Sequence, residues 1–189
     1  MLYDINHLYP GLKIMQNGEP CIIVNNDFVN PGKGQAFSRV RFRTLISGKT
    51  LEKTFKSGDF VKLAVVMEVN SLYLYNDNEL WYFMDCKNFD QIIVDTHIVG
   101  NNFKWLSGQI NCIITLWNGH PITVIPPHFV DLKVIDADSG IKGNTAANNT
   151  GSKLVKLITG VIIKVPLFIK VGEIVKVNTK SGEYVSRIK

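Results

Sequence analysis

Short runs of alternating apolar and polar residues, cut every few positions by turn formers, dominate this chain, and helical periodicity is scarce. A repeat of two puts one face of a strand on a core and the other in solvent, so such a chain builds small sheets rather than a helical bundle. Lys13-Ile14-Met15 leads through Asn17-Gly18 into the apolar run 20–24, and Asn-Gly between two such runs is a strong hairpin signal. Residues 39–45 and 50–55, joined by Ile46-Ser47-Gly48-Lys49, read as a second hairpin, and 71–75 with 80–84, around Asn76-Asp77-Asn78-Glu79, as an aromatic-rich third. Asn118-Gly119 joins 112–117 to 122–124, and Pro126-Pro127 then marks a boundary, because proline cannot continue a sheet interior. Further strands are expected at 130–135, 154–157, 160–165, 171–177 and 184–185, with a long polar stretch at 140–152. Residues 98–108 are the best candidate for a short helix. The chain therefore reads as all-β, three small barrels over residues 1–64, 65–128 and 129–189. Asn17-Gly18-Glu19-Pro20 and Asn118-Gly119-His120-Pro121 form a faint internal echo, suggestive only, since both are common turn chemistry.

Hydrophobic residues make up 46% of the 189, ample for folded cores. No run approaches the roughly 18 apolar residues of a membrane span, and the first residues lack a signal-peptide pattern. A soluble, cytoplasmic protein is expected. Cys21, Cys86 and Cys112 stand alone, without a Cys-x-x-Cys pair, and read as buried reduced thiols. His7, His97, His120 and His128 lack metal-ligand spacing.

The formal charge of +5 suggests polyanionic partners only weakly. Its distribution says more. Three of the four arginines are Arg39, Arg41 and Arg43, alternate positions that share one face of a strand. Such a row suits phosphate contact, and equally suits a solvated strand face.

Just before that row stands Asn30-Pro31-Gly32-Lys33-Gly34-Gln35-Ala36-Phe37. Pro31 fixes its own φ, and Gly32 and Gly34 permit angles that a side chain forbids. With strand-like residues on both sides, the segment reads as a hairpin tip with one exposed amine, Lys33, and Gln35 behind it. It is not a P-loop, because Gly34 rather than Ser or Thr follows the lysine. By itself the pattern is also ordinary turn chemistry.

Constellations for catalysis are absent from the pattern. Asp136-Ala137-Asp138-Ser139-Gly140 fails as a calcium loop, because Ala147 occupies the position that needs a bidentate glutamate. Two aspartates opening a polar loop are turn formers first. Tyr73 with Tyr75, and Trp81 with Phe83, are each spaced to share a strand face. They form either a base-stacking platform or one wall of a small core, and core is the better reading.

Taken together, the residues resemble the elongation factor P family over essentially the whole chain. The landmarks are Gly11-Leu12-Lys13-Ile14, the 30–37 segment, Glu52-Lys53-Thr54-Phe55-Lys56-Ser57-Gly58-Asp59, Tyr73-Leu74-Tyr75-Asn76-Asp77 and Thr115-Leu116-Trp117-Asn118-Gly119. In the last third they are Gly140-Ile141-Lys142-Gly143-Asn144-Thr145-Ala146, Lys164-Val165-Pro166-Leu167-Phe168 and Ser181-Gly182-Glu183-Tyr184-Val185-Ser186-Arg187. The resemblance implies a KOW/SH3-like barrel followed by two OB folds in an L-shaped, tRNA-like arrangement. It implies a cytoplasmic translation factor, monomeric and without a cofactor or membrane partner. Such a factor binds the 70S ribosome, its rRNA and its ribosomal proteins, beside the P-site peptidyl-tRNA, and relieves stalling at consecutive prolines. Lys33 aligns with the lysine that reaches the CCA end, within a tip loop of Pro31, Gly32, Gly34 and Gln35. That loop is of the type β-lysylated by a lysyl-tRNA-synthetase-like ligase. Arg39, Arg41 and Arg43 would anchor on RNA backbone, and Tyr184 and Arg187 match C-terminal positions of RNA contact. Gly143, Asn144 and Thr145 match a loop that contacts the exit-site codon of the mRNA, with Asn144 where an aspartate is common. The implied factor accelerates the ribosome's reaction and is not itself an enzyme.

Overall fold

The computed structural model describes residues 2–137 and 151–188. Sixteen strands lie among the described residues, arranged in three sheets, and the all-β expectation holds. Among those residues no helix is long and apolar enough to cross a membrane.

The first sheet contains β1 (Leu2–Asp4), β2 (Lys13–Gln16), β3 (Glu19–Val29), β4 (Phe37–Thr44), β5 (Thr50–Lys56) and β6 (Phe60–Leu63), in the order β1-β6-β2-β3-β4-β5. Asn17 and Gly18 join β2 to β3 with φ of 52° and 83°. Positive φ at both central residues gives the tight turn whose twist matches the strands it joins. β4 keeps the expected alternation. Ser38, Val40, Phe42 and Thr44 are buried, while Arg39, Arg41 and Arg43 are exposed. Val40 and Phe42 join Ile5, Ile14, Cys21, Ile23, Phe55 and Val61 in this sheet's core. Burying each large apolar side chain contributes about 1.5–3 kcal/mol.

The second sheet holds β7 (Val66–Asn76), β8 (Leu80–Asp85), β9 (Gln91–Asp95), β10 (Asn111–Trp117) and β11 (His120–Ile125), in the order β11-β10-β7-β8-β9. Tyr73, Trp81 and Phe83 form a buried aromatic cluster, with ring centroids 5.5 Å apart from Tyr73 to each of the others. Their polar atoms are satisfied. The Tyr73 hydroxyl donates to Asn76 Oδ1 at 2.9 Å, and Trp81 Nε1 donates to Thr96 Oγ1 at 3.1 Å. Tyr75 does not share the face of Tyr73, as a strict period of two requires. The register slips between Tyr73↔Phe83 and Tyr75↔Tyr82, so one extra residue, Leu74, bulges from β7. The bulge turns Tyr75 outward, where its ring stacks on Tyr82 at 4.6 Å.

The expected helical segment divides into two short pieces, α1 (Thr96–Val99) and a 3-10 helix, Gly100–Trp105. Gly100, at φ 51°, separates them. Cys86 departs from expectation. It follows the last residue of β8 in a turn and is exposed, whereas Cys21 and Cys112 lie in strands and are buried.

The third sheet contains β12 (Phe129–Ala137), β13 (Ser152–Leu157), β14 (Ile162–Pro166), β15 (Ile174–Asn178) and β16 (Tyr184–Ile188), in the order β14-β13-β12-β15-β16. Alternate residues Val130, Leu132 and Val134 of β12 meet Val155, Leu157, Ile163, Val165, Val175 and Val177 in one core. By compactness the chain divides into two units, residues 1–69 with 114–123, and residues 70–113 with 124–189.

Candidate nucleic-acid interface

β3 and β4 stay paired out to Val29↔Phe37, and β5 accompanies them to Phe37↔Lys56. The seven residues 30–36 are left to reverse the chain. The root of this loop is held. Ser57 N donates to Ala36 O at 2.9 Å, and Gln35 Nε2 donates to Ser57 O at 3.1 Å. Gln35 is thus an anchor rather than a free polar side chain. Gly34 has φ of +117°, in the region that favours glycine. A Cβ there would meet Pro31 Cγ at 3.8 Å, so the backbone angle, not space, demands glycine. Gly32 carries no positive φ and has open space around it, contrary to the sequence expectation that both glycines are used. Lys33 is exposed at the tip and forms no hydrogen bond or ion pair with any described residue. The tip thus pairs a root fixed by two hydrogen bonds with a cation that has no partner among the described residues.

From the root, Arg39, Arg41 and Arg43 run along the outer face of β4. Glu52 on β5 lies directly across from Arg41 and braces two of them, Arg39 Nε at 3.7 Å and Arg41 Nη2 at 3.4 Å. Asp27 faces Arg39 from β3. Arg43 pairs across to Ile22 and Thr50 and has no carboxylate partner among the described residues. The arginine row is therefore real but partly neutralised. Exposed ion pairs contribute about 0–1 kcal/mol, so a phosphate can displace Glu52 at little cost. Sequence reading had missed Glu52, whose place opposite Arg41 follows from strand register and not from local pattern.

Tyr184 and Arg187 lie in the other compact unit. Tyr184 packs its ring on the third core and lines a cleft of about 420 Å³ with Ser152, Lys164, Pro166 and Glu183. Arg187 Nη1 donates to Glu173 Oε1 at 3.1 Å, and its guanidinium stands 5.7 Å over the Phe168 ring. Glu173 also accepts from Lys170 N at 2.8 Å. That backbone donor, assisted by Arg187 and opposed by desolvation, holds the Glu173 carboxyl below its usual pKa. Gly143, Asn144 and Thr145 lie outside the described residues.

The aromatic platform resolves as core for Tyr73, Trp81 and Phe83, and as surface for Tyr75 and Tyr82. Asp77 accepts the Tyr82 hydroxyl at 2.8 Å and raises its pKa. A carboxylate beside the exposed stack works against phosphate approach. No group of histidine, cysteine and acidic side chains suited to a metal occurs among the described residues.

Three sheets, two of them curled into half-barrels, with a cationic tip loop on the first, define a protein of the KOW-plus-OB class. Family models match three consecutive segments: the elongation factor P KOW-like domain at residues 4–61, the elongation factor P OB domain at 66–124, and the elongation factor P C-terminal domain at 130–187. The chain belongs to the elongation factor P family. Among solved structures it is similar to "Eukaryotic translation initiation factor 5A" from Methanococcus jannaschii, with a TM-score of 0.55 at 19% identity. That match covers 66% of this chain and 94% of the other. A translation initiation factor eif-5a family protein from Naegleria fowleri gives 0.53 at 14% identity, covering 66% and 97%. These two likenesses show the fold.

Proposed function

We propose that this chain binds the ribosome beside P-site peptidyl-tRNA and speeds peptide-bond formation at consecutive prolines. The observation that carries the reading is the tip loop: a root tied to Ser57, and an exposed Lys33 without a partner among the described residues. Proline's fixed φ makes it awkward in peptide transfer. A cationic arm lying along the CCA end restricts peptidyl-tRNA to productive geometries and lowers the entropic part of the barrier, without reacting itself. In this reading the factor is an accessory to the ribosome's own chemistry, not an enzyme. Lys33 is also the site at which a lysyl-tRNA-synthetase-like ligase would form an amide with β-lysine, lengthening the arm and adding an amine. Arg39, Arg41 and Arg43 hold RNA phosphates, while Tyr184 and Arg187 make a second RNA contact. Residues 143–145 serve the exit-site codon, and the working boundaries of the three domains fall at residues 64/65 and 128/129.

The test is a reconstituted translation reaction timing a Pro-Pro-Pro peptide, with protein purified from its own cells and the Lys33→Ala variant. The expected result is a strong acceleration by wild type that the variant loses. If native protein gives no acceleration, and binds RNA equally with or without Lys33, a general RNA-binding role replaces this one.

A further inference from the structure

Tyr184 and Arg187 follow a turn whose footing lies partly outside their own sheet. That turn joins β15 to β16 through Gly182, at φ +73°, and is closed by Gly182 N donating to Asn178 O at 2.8 Å and Asn178 N donating to Glu183 O at 2.9 Å. Two groups from elsewhere support it. Thr179 Oγ1 donates to Pro127 O at 2.8 Å, and Thr179 N donates to His128 O at 3.0 Å, tying the turn to the segment that precedes β12. Beneath it stands Trp105, whose Cη2 lies 3.9 Å from the place of a Cβ on Gly182.

Trp105 does not come from the third sheet. It ends the 3-10 helix that connects β9 to β10, yet it is only 2% exposed and belongs to the third sheet's core. Lys104 places its amine 5.1 Å over the same ring. The helix is fastened too, since Asn102 Nδ2 donates to Val124 O at 2.8 Å. Residues 70–113 and 124–189 fall in one compact unit. A large rigid ring planted in a neighbouring core leaves few relative orientations without opening a cavity.

We propose that Trp105 is a positioning residue: by filling the third core from the second sheet's connection, it fixes the Asn178–Glu183 turn and so the placement of Tyr184 and Arg187 relative to β8 and β9. The functional half of this inference rests on the ribosomal reading above. Its structural half does not. The loss of a fixed second contact weakens binding of ground and transition states alike, so it raises the factor concentration needed for half-maximal effect and leaves the rate at saturation nearly unchanged.

Two measurements on the full chain decide it. In weakly aligned solution, the amide dipolar couplings of β8–β9 and β12–β16 should fit one alignment tensor in wild type. They should require two in Trp105→Leu, a variant that stays apolar but lacks the large ring and can be checked for a folded third sheet by its amide shifts. Two tensors in wild type, or one in the variant, overturn the proposal. Should Trp105→Leu lose the third sheet, Trp105 is merely a core residue there unless Trp105→Phe, folded, shows the two tensors. In the Pro-Pro-Pro assay, Trp105→Leu should raise the half-saturating concentration several-fold, and adding Tyr184→Ala should change it less than twofold further. Full additivity of the two substitutions would show that Trp105 does not act through the turn. Absence of acceleration by wild type defeats the ribosomal reading and with it the functional half, while the couplings still decide whether Trp105 locks β8 and β9 to the third sheet.

Discussion

At the residue scale, the two glycines of the tip separate cleanly. Gly34 needs its positive φ, and an L side chain there costs on the order of 1–3 kcal/mol of local strain. Gly32 has an ordinary φ and open space. Gly34→Ala should therefore weaken the Pro-Pro-Pro acceleration by distorting the presentation of Lys33, while Gly32→Ala leaves it within about twofold. Equal effects of the two in that assay would contradict the loop geometry. The Glu173–Arg187 pair gives a second residue-level expectation. The folded pKa of Glu173 lies below its unfolded value, so its contribution to stability is fully present above the ordinary carboxylate pKa. It is lost as pH falls through the lowered folded value. Glu173→Gln should flatten the acid limb of a melting-temperature-versus-pH curve and leave its slope near pH 7 unchanged. In the sequence, Lys33 and the arginines were legible because a tip and a two-residue repeat are local. Glu173, Glu52 and Trp105 were not, because each acts on residues brought near only by sheet pairing or packing.

At the scale of elements, the outer face of β4 with its neighbours is a switchable set of charges. Glu52 neutralises part of the arginine row, so Glu52→Gln should strengthen binding to a structured RNA at low salt. Arg43→Ala should weaken it and make the dependence of log K on log salt shallower by about 0.7–0.9, as expected for one lost phosphate contact. An unchanged slope in a salt titration would remove Arg43 from the interface. The Asn-Gly turns show what local sequence secures: Asn17-Gly18 and Asn118-Gly119 both adopt the paired positive φ that their composition demands. The bulge at Leu74 shows what it does not. Nothing in Tyr73-Leu74-Tyr75 marks the inserted residue, and only pairing with β8 shows that one tyrosine is core and the other surface. Helical content was visible as a region, but its break at Gly100 depends on a backbone angle rather than on composition.

Across the whole molecule, charge is distributed by sheet. Residues 66–124 hold six carboxylates against two lysines, whereas residues 1–64 hold nine cations against five carboxylates, and 129–189 ten against five. The net positive charge is thus confined to the first and last thirds. Replacing Asp77, Asp85 and Asp95 together by asparagine should leave the salt dependence of RNA binding unchanged, while lysine replacements in the first and third sheets should alter it. The cysteines are partitioned as well. Burial pushes the Cys112 thiol up to about 12 and raises that of Cys21. Only Cys86 stands in solvent. A thiol-reactive dye should therefore couple once to the native chain and three times after denaturation, as a thiol count under both conditions would show. The molecule supplies its own attachment point for a fluorophore, in the turn after β8, so its arrival on the ribosome it is proposed to bind can be watched one molecule at a time without removing a single cysteine.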